Sequence, residues 1–132
     1  MLQEKIFNIQ TPQDFKSVAL EVFGFQYENV KIYRQFCDML KVNPKLVTTI
    51  SEIPFLPIQF FKSHSIIADG YDEEVIFTSS GTTGSITSKH YVVSTKLYEE
   101  SFNRAFQNQY GSPRDYTILA LLPSYLEREG SS

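Results

Sequence analysis

The chain has 132 residues, 42% hydrophobic and 14% aromatic, with a formal net charge of −3. That length suits one domain that buries on the order of two-thirds of its unfolded surface, and the composition excludes a disordered chain. The acidic balance, without a Lys/Arg cluster, argues against nucleic acid as a partner. A single cysteine, Cys37, excludes an internal disulfide.

Thr11-Pro12-Gln13-Asp14 reads as a helix start: a threonine cap, proline in the first turn and an acid behind it. Phe15, Val18, Ala19, Val22 and Phe23 then recur on one helical face, and Gly24 is expected to close the helix. A second helix is expected over 27–41, with Val30, Tyr33, Phe36, Cys37 and Leu40 facing inward. Asn43-Pro44 should stop it, because proline disfavours the helical conformation of the residue before it. Cys37, on that inner face, reads as a core thiol rather than a nucleophile.

Pro54 and Pro57 stand within a cluster of large apolar residues, Ile53, Phe55, Leu56, Ile58, Phe60 and Phe61, and Pro57 can open a single helical turn. This stretch is either a proline-shaped wedge of core or part of a binding surface. Asp69-Gly70-Tyr71-Asp72-Glu73-Glu74 reads as a solvated acidic turn, and no metal site is expected. A strand over 74–78 follows.

After that strand six hydroxyl side chains, Thr78, Ser79, Ser80, Thr82, Thr83 and Ser85, interleave with Gly81 and Gly84, and Lys89 comes shortly after. Glycine lets the backbone approach a polyanion without a Cβ in the way, and hydroxyls and N–H groups supply donors. The physical reading is phosphate. A Walker A loop is excluded, since Gly84 is followed by Ser85 and not by lysine. His90 is a candidate for a nucleotide-side role because it follows Lys89; His64 is a weaker one.

A short strand at Tyr91-Val92-Val93 and a third helix from a Ser94 cap to about residue 109 come next. Tyr98, Phe102, Ala105 and Phe106 give that helix its apolar face, and Glu100–Arg104 is a favourable i,i+4 pair. Gly111-Ser112-Pro113 should end it. Residues 116–122 form a continuous apolar run with the look of a strand buried on both faces. Strand, loop, helix and strand in this order predict α/β layering with a right-handed crossover.

Three segments together carry a family resemblance. Ser80-Gly81-Thr82-Thr83-Gly84 matches the core of the phosphate-binding signature of the AMP-forming (adenylating) ligases, T-S-G-T-T-G-x-P-K. Ile86 replaces the usual proline, and Lys89 lies two positions beyond the usual lysine. Glu52-Ile53-Pro54-Phe55-Leu56-Pro57-Ile58-Gln59-Phe60-Phe61-Lys62 and Leu122-Pro123-Ser124-Tyr125-Leu126-Glu127-Arg128 resemble the acyl-protein synthetase branch. The likeness spans roughly 50 to 132, in the family's order.

The resemblance implies an α/β fold: a helical region over 1–50, and over 51–132 part of an incomplete ligase-type sheet with the phosphate loop. It implies ATP and Mg2+ as cofactors, held through Thr78, Ser79, Ser80, Gly81, Thr82, Thr83, Gly84 and Lys89. Tyr125, past a strand end, would line the acyl or adenylate pocket. The implied reaction activates a carboxylic acid, by analogy a fatty acid, as acyl-AMP and passes the acyl group to a thiol, with an acyl-accepting protein as a possible partner. Family members are longer, so the chain is expected to be an N-terminal piece, catalytically silent alone and prone to self-association through apolar surface left uncovered. The longest apolar run falls far short of the roughly 20 residues of a membrane span, and no signal-peptide layout opens the chain, so cytoplasm is the expected compartment. A phosphate- or nucleotide-binding module without turnover, or an interaction domain whose Ser/Thr-Gly run is a plain turn, stay open as alternatives.

Overall fold

The computed structural model describes residues 2–79 and 87–119. The chain divides into two compact units, Met1–Tyr71 and Asp72–Ser132. The first is helical and the second pairs a small sheet with a helix, so helix and strand are combined as the α/β reading expects in its coarse form.

In the first unit α1 (Leu2–Ile6) precedes α2 (Pro12–Asn29) and α3 (Lys31–Met39). The expected start of α2 is realised in full. The Thr11 hydroxyl accepts the Asp14 N–H at 3.1 Å, and the Asp14 carboxylate accepts the Thr11 N–H at 2.9 Å. This reciprocal capping box satisfies two donors that a helix N-terminus otherwise orphans. The Thr11 hydroxyl can also donate to the Asp14 carboxylate at 2.7 Å, and that bond, followed by those from the Thr11 and Gln10 N–H groups, holds the Asp14 carboxyl below its ordinary range.

Gly24 does not end the helix. α2 continues to Asn29 because Phe23 and Tyr27, on either side of the glycine, are held by the core. The break falls instead at Val30, in extended conformation (φ −116°, ψ 100°), whose side chain is buried. Arg34 secures this corner: its guanidinium donates to the Tyr27 and Glu28 carbonyls at 3.1 and 2.9 Å and to the Asp69 carboxylate at 3.2 Å. The carbonyls at the end of α2 thereby gain partners that the helix itself cannot supply.

Nor does Asn43-Pro44 stop α3. The helix is already closed by a Schellman motif, in which Lys41 N–H returns to the Asp38 carbonyl and Val42 N–H to the Cys37 carbonyl, both at 3.0 Å. Lys41 takes the left-handed conformation this closure requires, φ 58°. Asn43 instead caps the following 3-10 turn Pro44–Leu46, accepting the Lys45 N–H at 3.1 Å. Leu40, expected to face inward, is 53% exposed as the residue at which the backbone turns away.

The core consists of Phe23, Val30, Tyr33 and Cys37, the last with no exposed surface. Phe23 meets Tyr33 edge to face at 6.1 Å. Ile53, Leu56, Ile66 and Ala68 pack against this cluster, which draws the chain through residue 68 onto the helices. The Tyr33 hydroxyl donates to the Pro54 carbonyl at 2.7 Å and so fixes the proline-rich segment. Pro57 opens a turn as expected, its carbonyl accepting the Phe60 N–H ahead of α4 (Phe60–Ser63). The wedge is two-sided: Ile53 and Leu56 face the core, while Phe55 and Ile58 are 76% and 62% exposed.

The second unit holds β1 (Val75–Thr78), β2 (Lys89–Val92) and α5 (Lys96–Tyr110). β1 and β2 form an antiparallel hairpin; the crossover expected from the strand at 74–78 through the helix to a strand at 116–122 ends on residues outside those described. The connection between them is too short to carry a crossover helix, which leaves direct antiparallel return as the available pairing. α5 ends at Gly111, φ 87°, as expected. Its start falls at Thr95, with the Ser94 hydroxyl accepting the Lys96 N–H at 3.4 Å. Residues 116–119 belong to no strand among the described residues, and Tyr116, Ile118 and Leu119 are exposed. A strand buried on both faces needs neighbours, and none of the described strands supplies one; residues 120–122 lie outside the described residues.

Candidate functional site

The hydroxyl and glycine run is the connection of the β1–β2 hairpin. Its arms form because Val75-Ile76-Phe77-Thr78 and Tyr91-Val92 are β-branched and aromatic, the types that fit a pleated surface. The register pairs Val75 with Val92, Ile76 with Tyr91, Phe77 with His90 and Thr78 with Lys89. Residues directly opposite share a face, and faces alternate along each strand. Thr78, Lys89, Ile76 and Tyr91 therefore occupy one face, and Phe77, His90, Val75 and Val92 the other.

α5 marks which face is covered. Its Tyr98 packs on Phe77 with ring centroids 5.9 Å apart, and Phe102 stands edge-on to Tyr98 at 5.4 Å. The start of α5 is tied to β1 by Glu74, whose carboxylate accepts the Thr95 hydroxyl at 2.9 Å and the Thr95 N–H at 3.3 Å. The same hydroxyl lies 2.8 Å from the Glu99 carboxylate, so its one proton serves one of two acceptors at a time. His90 thus lies on the helix-covered face, while Lys89 stands exposed on the other, at the end from which the loop departs.

Two bonds close the loop's base. Ser79 N–H donates to the Ser88 carbonyl, and Ser88 N–H donates to the Ser79 hydroxyl, each at 3.1 Å. Of the residues expected to hold phosphate, the structure brings Thr78, Ser79 and Lys89 together at this base. Ser80, Gly81, Thr82, Thr83 and Gly84 lie outside the described residues, as does Tyr125. Ser88, 5% exposed, was not singled out by sequence reasoning. The signal was present: a serine at each end of the run, at equal distances from the paired strands.

The remaining candidates are accounted for by packing. Cys37 is buried, and that burial pushes its thiol above the ordinary cysteine range, the opposite of an activated nucleophile. His64 stacks on Phe60 at 5.3 Å, with Nδ1 2.8 Å from the Ser63 hydroxyl. The acidic turn at Asp69-Gly70 is structural: Asp69 pairs with Arg34 through its side chain and with the Asn29 carbonyl through its N–H. Among the described residues no group of three or more His, Cys, Asp or Glu side chains could hold a metal ion, and no helix is long and apolar enough to cross a membrane.

A hairpin whose connection is rich in hydroxyls and glycine, with a lysine at its base, defines a candidate oxyanion- or phosphate-binding element. The chain belongs to the acyl-protein synthetase, LuxE family, which matches it over residues 6–124. Over 70 residues it is 36% identical to a long-chain-fatty-acid–luciferin-component ligase of Photorhabdus luminescens, covering 52% of this chain and 60% of the relative. Over 63 residues it is 40% identical to the ligase of the same name from Vibrio harveyi, covering 47% of this chain and 16% of that protein. The chain thus spans less than two-thirds of the length of either relative. No solved structure matches it.

Proposed function

We propose that the protein to which this chain belongs activates a carboxylic acid, a long-chain fatty acid by analogy with its relatives, and transfers the acyl group to a thiol. The observation that carries this reading is the hairpin: the adenylating-ligase signature Ser80-Gly81-Thr82-Thr83-Gly84 connects two paired strands whose last pair, Thr78 and Lys89, stands at its base. Family membership and the fatty-acid ligase names of both relatives support it.

ATP supplies the leaving group: a carboxylate oxygen attacks the α-phosphorus, the bond to the β-phosphate oxygen breaks, and acyl-AMP and pyrophosphate result. The donor set fits that polyphosphate, since Thr and Ser hydroxyls and the N–H groups of a glycine-containing loop are uncharged donors that stabilise oxyanions by hydrogen bonding. These donors would hold the β- and γ-phosphates and stabilise charge on departing pyrophosphate. Lys89 would add a cation at the loop base, on the face that α5 leaves open. Mg2+ would enter with the nucleotide, because the described residues offer no carboxylate cluster for it. Tyr125 would line the acyl side, and the acyl acceptor would be a thiol elsewhere in the protein or on a partner, since Cys37 is buried.

The test uses the complete protein. Gly81→Val blocks close backbone approach, and Thr82→Val with Thr83→Val removes two hydroxyls while keeping shape. ATP–pyrophosphate exchange should fall, by up to about 2.7–4 kcal/mol of transition-state stabilisation per donor. Transfer from synthetic acyl-adenylate should be spared, because pyrophosphate has already left. Unchanged exchange in folded Gly81→Val protein would refute the assignment.

A further inference from the structure

Ser79 does something at the base of this connection that its place in the signature does not reveal. Continuing the β1–β2 register one pair beyond Thr78 and Lys89 sets Ser79 opposite Ser88. In a regular antiparallel ladder such a pair exchanges two bonds, each N–H donating to the opposite carbonyl. Ser79 makes its half of that exchange, donating to the Ser88 carbonyl at 3.1 Å. The return bond is different: the Ser88 N–H donates to the Ser79 hydroxyl and not to the Ser79 carbonyl.

We infer that Ser79 is a positioning residue, whose hydroxyl takes its own carbonyl's place in the ladder and so sets where the chain leaves the hairpin for the phosphate loop. The inference rests on the phosphate-loop reading above and deepens it. Ser88 is 5% exposed, so its N–H has little access to water and needs a protein acceptor. With the hydroxyl serving as that acceptor, the Ser79 carbonyl is left out of the Ser79–Ser88 exchange while the two arms stay clamped. The Ser79 N–H is committed to the clamp and is not a phosphate donor, which leaves its hydroxyl proton as the one donor the residue can direct toward a ligand. Without the hydroxyl, the Ser88 N–H either loses its partner or draws the Ser79 carbonyl back into the ladder. Either outcome moves the point at which the loop begins.

The experiment compares Ser79→Ala, Ser79→Thr and Gly81→Val in the complete protein. Three readouts are used: ATP–pyrophosphate exchange, acyl transfer from synthetic acyl-adenylate, and hydrogen exchange of the peptide containing the Ser88 amide without ligand. Ser79→Ala is expected to lower pyrophosphate exchange roughly tenfold, the scale of one hydrogen bond to a poorly solvated group. It should also deprotect the Ser88 amide and leave acyl transfer intact. Ser79→Thr, which keeps the hydroxyl, should restore both exchange and protection. Lost pyrophosphate exchange with the Ser88 amide still protected would mean that Ser79 acts by direct contact, overturning the positioning role. Unchanged exchange in Ser79→Ala beside abolished exchange in Gly81→Val would overturn it too while leaving the loop reading intact, whereas no loss in either variant sinks the loop reading itself. Should the alanine protein fail to fold, Ser79→Cys, with its weak sulfur acceptor, provides the same comparison.

Discussion

Replacing Gly24 by alanine should stabilise the first unit, and the structure fixes both the sign and the size. Gly24 lies inside α2, and a Cβ built there meets nothing within 4 Å. The substitution therefore adds no clash, while it removes the conformational freedom that glycine must surrender on folding. A glycine inside a helix costs about 0.5–1 kcal/mol relative to alanine, so a gain of that size is expected. With a urea m-value of about 1–3 kcal/mol/M, the midpoint should rise by roughly 0.2–1 M, read by far-ultraviolet circular dichroism. Gly111→Ala supplies the opposite case. The space beside Gly111 is equally open, but its φ of 87° is one that L side chains rarely adopt, so this change should destabilise the second unit by about 1–2 kcal/mol. Lys41 reverses the comparison: it already sits at φ 58°, so Lys41→Gly should stabilise by about 1 kcal/mol. Destabilisation by Gly24→Ala would refute the reasoning, because it would place Gly24 at a helix end in left-handed conformation, as the sequence pattern alone expects.

The cap carboxylates make stability depend on acid. Asp14 and Glu52 are held below the ordinary carboxylate values of 3.8 and 4.5 by cap hydrogen bonds, in Glu52 chiefly from the Thr48 and Thr49 N–H groups. A folded-state pKa below the unfolded one gives stability that is complete above the unfolded value and lost as pH falls through the folded one. Urea midpoints between pH 7 and pH 3 should thus decline more steeply for the wild type than for Asp14→Asn combined with Glu52→Gln; parallel curves would remove the caps from the account. Tyr33→Phe deletes the hydroxyl bound to the Pro54 carbonyl and should cost about 0.5–1.5 kcal/mol, with faster hydrogen exchange over residues 53–61; an unchanged midpoint and exchange would show that the bond is idle. The exposed side chains Phe55, Ile58, Ile118 and Leu119 should make this 132-residue chain self-associate in light scattering as concentration rises, and a strict monomer that binds no apolar dye would contradict that.

Where a signal is carried by neighbours in sequence, the chain by itself determined the outcome. Thr11-Pro12-Gln13-Asp14 caps a helix because every bond of that cap closes within three or four residues. Gly111 ends α5 for the same local reason, and the β-branched arms on either side of the hydroxyl run form a strand pair wherever the chain returns on itself. The signature at 80–84 and its family were likewise legible, because they reside in the order of side chains and not in their distances. Tertiary structure decided what depended on distant partners. Gly24 stays helical because Phe23 and Tyr27 are held by residues from later in the chain, and that packing outweighs a local cost of under about 1 kcal/mol. Lys41 is driven into a conformation it would not choose by a helix end that must return two N–H groups. Strand direction decided the site: the antiparallel return of β2 on β1 set Lys89 beside Thr78, turned His90 toward the face of Phe77, and joined Ser79 to Ser88. Each of these pairings lies nine or more residues apart in sequence, beyond the reach of any local pattern, and only the register of the hairpin fixes them.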